Sequence, residues 1–130
     1  MIKINKSSGN EVVLTLSEKT TITNPTYLFE FTNDATKEVK TFIAVDYSNN
    51  KERFNIFDII ETSTENLLTG RVHLSVGAWK YRIFEQSSST NLIVANATNL
   101  VENGKVDVIG TDTVLNEFTG EQKTYKEFNG

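Results

Sequence analysis

An all-β fold is predicted by three features of the sequence. Gly77-Ala78-Trp79-Lys80-Tyr81-Arg82-Ile83-Phe84-Glu85 alternates strictly, with Trp79, Tyr81 and Ile83 on one face and Lys80 and Arg82 on the other. Tyr27-Leu28-Phe29-Glu30-Phe31-Thr32-Asn33 repeats that pattern, with Tyr27, Phe29 and Phe31 opposite Glu30 and Thr32. The rest of the chain follows a rhythm of short alternating segments joined by loops of about four to seven residues, which is what a sandwich of two sheets requires. The expected architecture is an immunoglobulin-like antiparallel β-sandwich of about seven to nine strands. It occupies residues 1–110, with residues 111–130 as a C-terminal arm or edge strand.

Met1 to Ile4 alternates and forms a short first strand, and Lys6-Ser7-Ser8-Gly9-Asn10 turns the chain into a second strand over Glu11–Leu16. Ser17 to Asn24 is polar and rich in threonine. Pro25, the single proline, has no N–H to give a sheet ladder, so a loop or edge segment is expected there. Tyr27–Asn33 and Val39–Asp46 then form a hairpin across the turn residues Asn33-Asp34-Ala35-Thr36.

Phe54–Glu61 has a partly helical spacing of Phe54, Phe57 and Ile60, but its β-branched isoleucines favour a strand. Leu67–Leu74 is a further short strand, leading through Ser75-Val76-Gly77 into the Trp79 strand. After the loop Gln86–Thr90, Asn91–Asn96 is expected as a return strand. Asn103-Gly104 lies between alternating segments in Leu100–Ile109 and predicts a hairpin turn. The rhythm breaks from Thr111 to Gly130, where Val114, Leu115, Phe118, Tyr125 and Phe128 are widely spaced. An arm packing on a neighbouring subunit and a final edge strand with a frayed tail both fit.

The chain of 130 residues suffices for one hydrophobic core. Its net charge of −4 repels a phosphate backbone, so nucleic acid is not an expected partner. Without cysteine, the chain can form neither disulfides nor thiolate metal sites, and it lacks a thiol nucleophile. Met1-Ile2-Lys3-Ile4-Asn5-Lys6 lacks the apolar run of a signal peptide. No segment reaches the roughly 18 consecutive apolar residues of a membrane span, so neither secretion nor a membrane partner is expected.

Chemistry-bearing residues are sparse. His73 stands alone between Val72 and Leu74 and is expected to face solvent on a strand. The carboxylate pairs Asp58 with Glu61 and Glu30 with Glu85 would serve glycoside chemistry only if held roughly 5 to 10 Å apart across a cleft. Asn33-Asp34 and Asp46–Asn50 offer oxygen ligands without the spacing of a calcium loop. No enzyme, cofactor or metal is expected. Tyr27, Tyr47, Trp79 and Tyr81 could hold a sugar if exposed, which keeps a carbohydrate-binding module or adhesin as an alternative; their alternation favours a core role.

The ordered set of Leu14-x-Leu16-Ser17-Glu18, Tyr27–Asp34, Gly77-x-Trp79-x-Tyr81-x-Ile83-Phe84-Glu85-Gln86, Asn91-Leu92 and Val101-Glu102-x-Gly104-x-Val106 resembles small virion structural proteins of tailed bacteriophages. Those of crAss-like phages infecting Bacteroidales are the most similar. The resemblance spans Leu14 to Ile109. It implies a non-enzymatic decoration or head-fibre component, or a collar, ring or tail component, present in many copies and binding other virion proteins. It also implies localisation in the virion after synthesis in the host bacterial cytoplasm, with a homo-oligomer expected in the assembly. It carries no catalytic residues. The candidate partner contacts, inferred from the residues themselves, are Lys80 and Arg82 on the wet side of the Trp79 strand and Phe118, Tyr125 and Phe128 in the terminal segment.

Overall fold

The computed structural model describes residues 1–49 and 53–110. Eight strands run in chain order: β1 (Ile2–Asn5), β2 (Gly9–Leu14), β3 (Thr26–Asn33), β4 (Val39–Ile43), β5 (Asn55–Glu61), β6 (Arg71–Val72), β7 (Gly77–Gln86) and β8 (Asn99–Ile109). They form a five-stranded sheet of order β1-β8-β7-β3-β4 and a three-stranded sheet of order β2-β5-β6. This is the expected all-β sandwich. Two pairings depart from a purely antiparallel pattern: β1 runs parallel to β8, and β6 runs parallel to β5.

The core forms where the alternating faces of the two sheets meet. Phe29 stacks on Phe42 with ring centroids 5.2 Å apart and meets Phe57 of the small sheet edge-on at 5.0 Å. Trp79, Phe31, Ile83, Ile59 and Leu74 are buried around them. The strand β7 sits at the centre of the larger sheet, between β3 and β8. Its indole nitrogen is not stranded in the core, because Trp79 Nε1 donates to the Ser75 carbonyl at 3.0 Å.

The turn between β3 and β4 forms as expected, and its cause is visible. The buried Asn33 side chain accepts from the Ala35 and Thr36 amides at 2.8 and 2.9 Å, an Asx turn that substitutes for ladder bonds. The Phe54–Glu61 segment is a strand, with Asn55, Phe57, Ile59 and Glu61 facing inward and Ile56, Asp58 and Ile60 less buried.

Three expected elements differ. Asn103-Gly104 makes no hairpin: both residues lie inside the continuous strand β8, and Gly104 does not adopt positive φ. Gly104 pairs with Tyr81, and a Cβ there would stand 2.8 Å from the tyrosine ring, so the glycine makes room for that ring. Asn91–Asn96 is not a return strand. It lies on the outer face of the larger sheet, where Leu92, Val94 and Ala97 cover the apolar spot made by Leu28, Ile43 and Phe84. The buried Gln86 fixes it, donating to the Ser88 and Asn91 carbonyls and accepting from the Asn91 side-chain amide. The strand expected over Leu67–Leu74 shrinks to Arg71–Val72, because Asn66 closes a turn with Thr69 and Arg71 and Gly70 adopts φ of +75°.

Candidate functional site

The sheet geometry separates the carboxylates that sequence left as possible pairs. Along β3 and β7 the outer face carries Glu30 and Arg82, directly opposite one another, whereas Glu85 pairs with Tyr27 on the inner face. Asp58 and Glu61, an odd number of residues apart on β5, also point to opposite faces. Neither pair spans a cleft.

Each buried carboxylate is instead a structural tie. Glu85 accepts from the Thr21 and Ile22 amides at 2.8 and 2.9 Å, from the Thr21 hydroxyl and from Asn99. Burial raises its pKa, but these donors outweigh burial and hold it below the ordinary glutamate range. Glu61 accepts from the Ser7 and Leu74 amides at 2.8 and 3.0 Å and pairs with the buried Lys6 ammonium at 3.3 Å. Burial again pushes upward and the donors again prevail, so its pKa is lowered. His73 is exposed as expected, but lies just beyond β6 rather than on a strand, with Nδ1 3.0 Å from Glu61.

The aromatic candidates divide. Tyr27, Trp79 and Tyr81 are buried, and Tyr47 is 49% exposed. Tyr81 donates its hydroxyl to Glu102 at 2.7 Å, and burial together with that carboxylate pushes its pKa upward. Tyr47 lies beside the small sheet, where its amide donates to the Ile56 carbonyl; slight burial and the nearby Asp58 and Glu11 raise its pKa.

Lys80 and Arg82 point outward from the centre of the larger sheet, as expected. Arg82 Nε donates to Glu30 Oε1 at 2.6 Å, and its guanidinium lies 5.1 Å from the Phe84 ring centroid. Lys80, 64% exposed in its side chain, lies 3.6 Å from Asp34 and stands directly opposite Lys105 of β8. A shallow groove of about 410 Å³ runs along this face, bordered by Glu30, Lys80, Arg82 and Asn103. Phe118, Tyr125 and Phe128 lie outside the described residues.

A larger cavity, about 630 Å³, opens at the end of the sandwich between the segment before β3 and the residues after β4. No sequence signal marked it, because its lining comes from loops distant in the chain. Asp46 borders it, with Oδ1 accepting from the Ser48 and Ile56 amides and Oδ2 from Asn55 Nδ2 at 2.7 Å. Both oxygens of the Asp46 carboxylate thus accept from protein donors, and among the described residues no group of three or more histidine or acidic side chains is placed to hold a metal.

No protein-family model and no curated protein matches this chain. Among solved structures, the chain is similar to a candidate glycoside hydrolase from Bacteroides vulgatus, with a TM-score of 0.46 and 16% identity over 87% of this chain. It spans 17% of the length of that protein.

Proposed function

We propose that the chain is a non-enzymatic structural protein of a phage virion, a decoration or head-fibre component that binds other virion proteins through the outer face of its larger sheet. A collar, ring or tail position fits the same chemistry. The observation that carries the binding face is the juxtaposition of Lys80 and Lys105 as direct cross-strand neighbours. Like charges in that position destabilise an isolated sheet. Asp34 and Glu30 offset part of the local positive charge, and an acidic partner surface would relieve the rest. The groove beside them sits on regular strands, so the contact groups are held by a rigid scaffold.

Replacing Lys80 and Lys105 together by glutamate tests the face. The expected result is a folded protein with at least about tenfold weaker attachment to purified particles. Undiminished attachment would exclude this face as the contact.

Carbohydrate binding is the second reading, favoured by one observation: Tyr47 is an exposed ring near the carboxylates of Asp58 and Glu11. A glycan array with the native chain and Tyr47→Ala separates the readings. Binding lost with Tyr47 supports the sugar site, and an array with no bound glycan removes it.

A further inference from the structure

We infer that copies of this chain stack head to tail, the outer face of the small sheet of one copy lying on the outer face of the larger sheet of the next. The inference rests on reading the larger sheet's outer face as a contact surface, and it names the acidic surface that meets it. It is decided on the isolated chain, whereas the virion role is decided on particles.

Each outer face carries two like charges in direct cross-strand register, and the two pairs have opposite sign. On the larger sheet Lys80 of β7 stands opposite Lys105 of β8. On the small sheet Glu11 of β2 stands opposite Asp58 of β5. All four residues are exposed. Among the described residues, Lys105, Glu11 and Asp58 form no ion pair. Antiparallel neighbours hold opposed side chains about 5 Å apart at Cβ, so the two pairs share one spacing, and each destabilises its own sheet until an opposite charge covers it.

The match extends to a third charge. One row along the larger sheet, the Asp34 amide bonds to the Ala78 carbonyl at 3.0 Å, which puts Asp34 beside β7 on the side away from β8. Its carboxylate lies 3.6 Å from the Lys80 ammonium, on the outer face. One row along the small sheet, Ile60 pairs with Arg71 of β6, on the side of β5 away from β2. Asp34 and Arg71 thus occupy corresponding points, one strand beyond Lys80 and Asp58 and about 7 Å along, again with opposite sign.

The three charges run in the same order across both faces. β2 folds back from β1 and lies beside it, and β6 lies beside β4, so the two sheets are laid across the molecule in one order. β5, antiparallel to β2, runs the same way as β8, which is parallel to β1. Displacing one copy along the stacking direction therefore brings Glu11 over Lys105, Asp58 over Lys80 and Arg71 over Asp34, with Ile60 over the exposed Ala78 between them. This point-by-point correspondence of sign and spacing is what selects a second copy of the chain as the partner. Because the two faces differ, the contact is heterologous and leaves one free face at each end, so the stack does not close at two.

Sedimentation of the full chain tests the stack. The native chain is expected to associate with rising concentration at about 20 mM salt, and at least about tenfold more weakly at about 500 mM, where these charges are screened. Lys80→Glu with Lys105→Glu, and Glu11→Lys with Asp58→Lys, should each associate at least about tenfold more weakly than the native chain. The second variant should do so even though its net charge is nearer zero than −4, a change that by itself promotes association. Mixed in equal amounts, the two variants should associate again, because reversed face meets reversed face and native meets native. The neutral changes Lys105→Gln and Asp58→Asn should weaken the stack in the same direction, with thermal unfolding unchanged. A native chain that stays monomeric at millimolar concentration in low salt overturns the inference. So does association that both reversed variants retain, or a mixture of folded variants that associates no better than its components. Weakened particle attachment by the lysine variant, with a native chain that never self-associates, would keep the contact face and remove the self-stack.

Discussion

Tyr81 and Gly104 show how one contact can reverse the local meaning of a residue pair. Asn-Gly between alternating segments favours a two-residue turn, yet here the glycine is the flat place on β8 over which a tyrosine ring lies. Gly104→Ala would drive a methyl group into that ring. The expected loss is about 1 to 3 kcal/mol of stability, measured by urea denaturation, and most of it should vanish in a Tyr81→Leu background. Sequence reading missed this because the ring that needs the space belongs to another strand. The buried Glu61 was equally illegible, since its donors come from Ser7, Leu74 and Lys6. Glu61→Gln removes the carboxylate charge that faces the buried Lys6 ammonium and the Ser7 and Leu74 amides and should cost about 1 to 3 kcal/mol. The pH dependence follows from the lowered pKa. A carboxylate more acidic when folded than its ordinary value of 4.5 supplies stability fully present above that value and lost as pH falls through the folded value. Thermal unfolding of the native chain should therefore fall steeply below about pH 4.5, and that of Glu61→Gln should start lower and fall less.

Among the elements, β7 was the most legible, because alternation over its whole length requires one buried and one wet face. Its central place in the larger sheet follows from having apolar neighbours on both sides. Trp79→Ala should cost about 3 to 5 kcal/mol in chemical denaturation, while Lys80→Ala, on the same strand but facing water, should stay within about 0.5 kcal/mol of the native chain. Equal effects would contradict the assignment of faces. The Asn91–Asn96 segment was misread for a reason of the same kind. Its run Leu92-Ile93-Val94 has the composition of a strand, but the surface available to it is an apolar spot on an outer sheet face. There a short 3-10 turn over Val94–Asn96 packs Leu92 and Val94 without a ladder partner. Composition reports that a segment must be covered, and only the surrounding sheet decides how.

For the molecule as a whole, the sandwich was legible because period-two patterning recurs in most of the strands, and the parallel pairings of β1 and β6 were not, since alternation is blind to strand direction. The outer-face groups Lys80 and Arg82 were found from patterning alone, whereas the end cavity depends on where β4 departs from β3 and could not be. What unites these features is a scaffold whose buried carboxylates tie loops and whose accessible groups lie on a sheet face and at one end. In the proposed virion role, these faces would make the contacts with neighbouring proteins. Quantitative mass spectrometry of purified phage particles tests the virion role most directly. The predicted result is this chain at many copies per particle, retained through gradient purification. Its absence from intact particles, with the chain present in the lysate, would contradict that role.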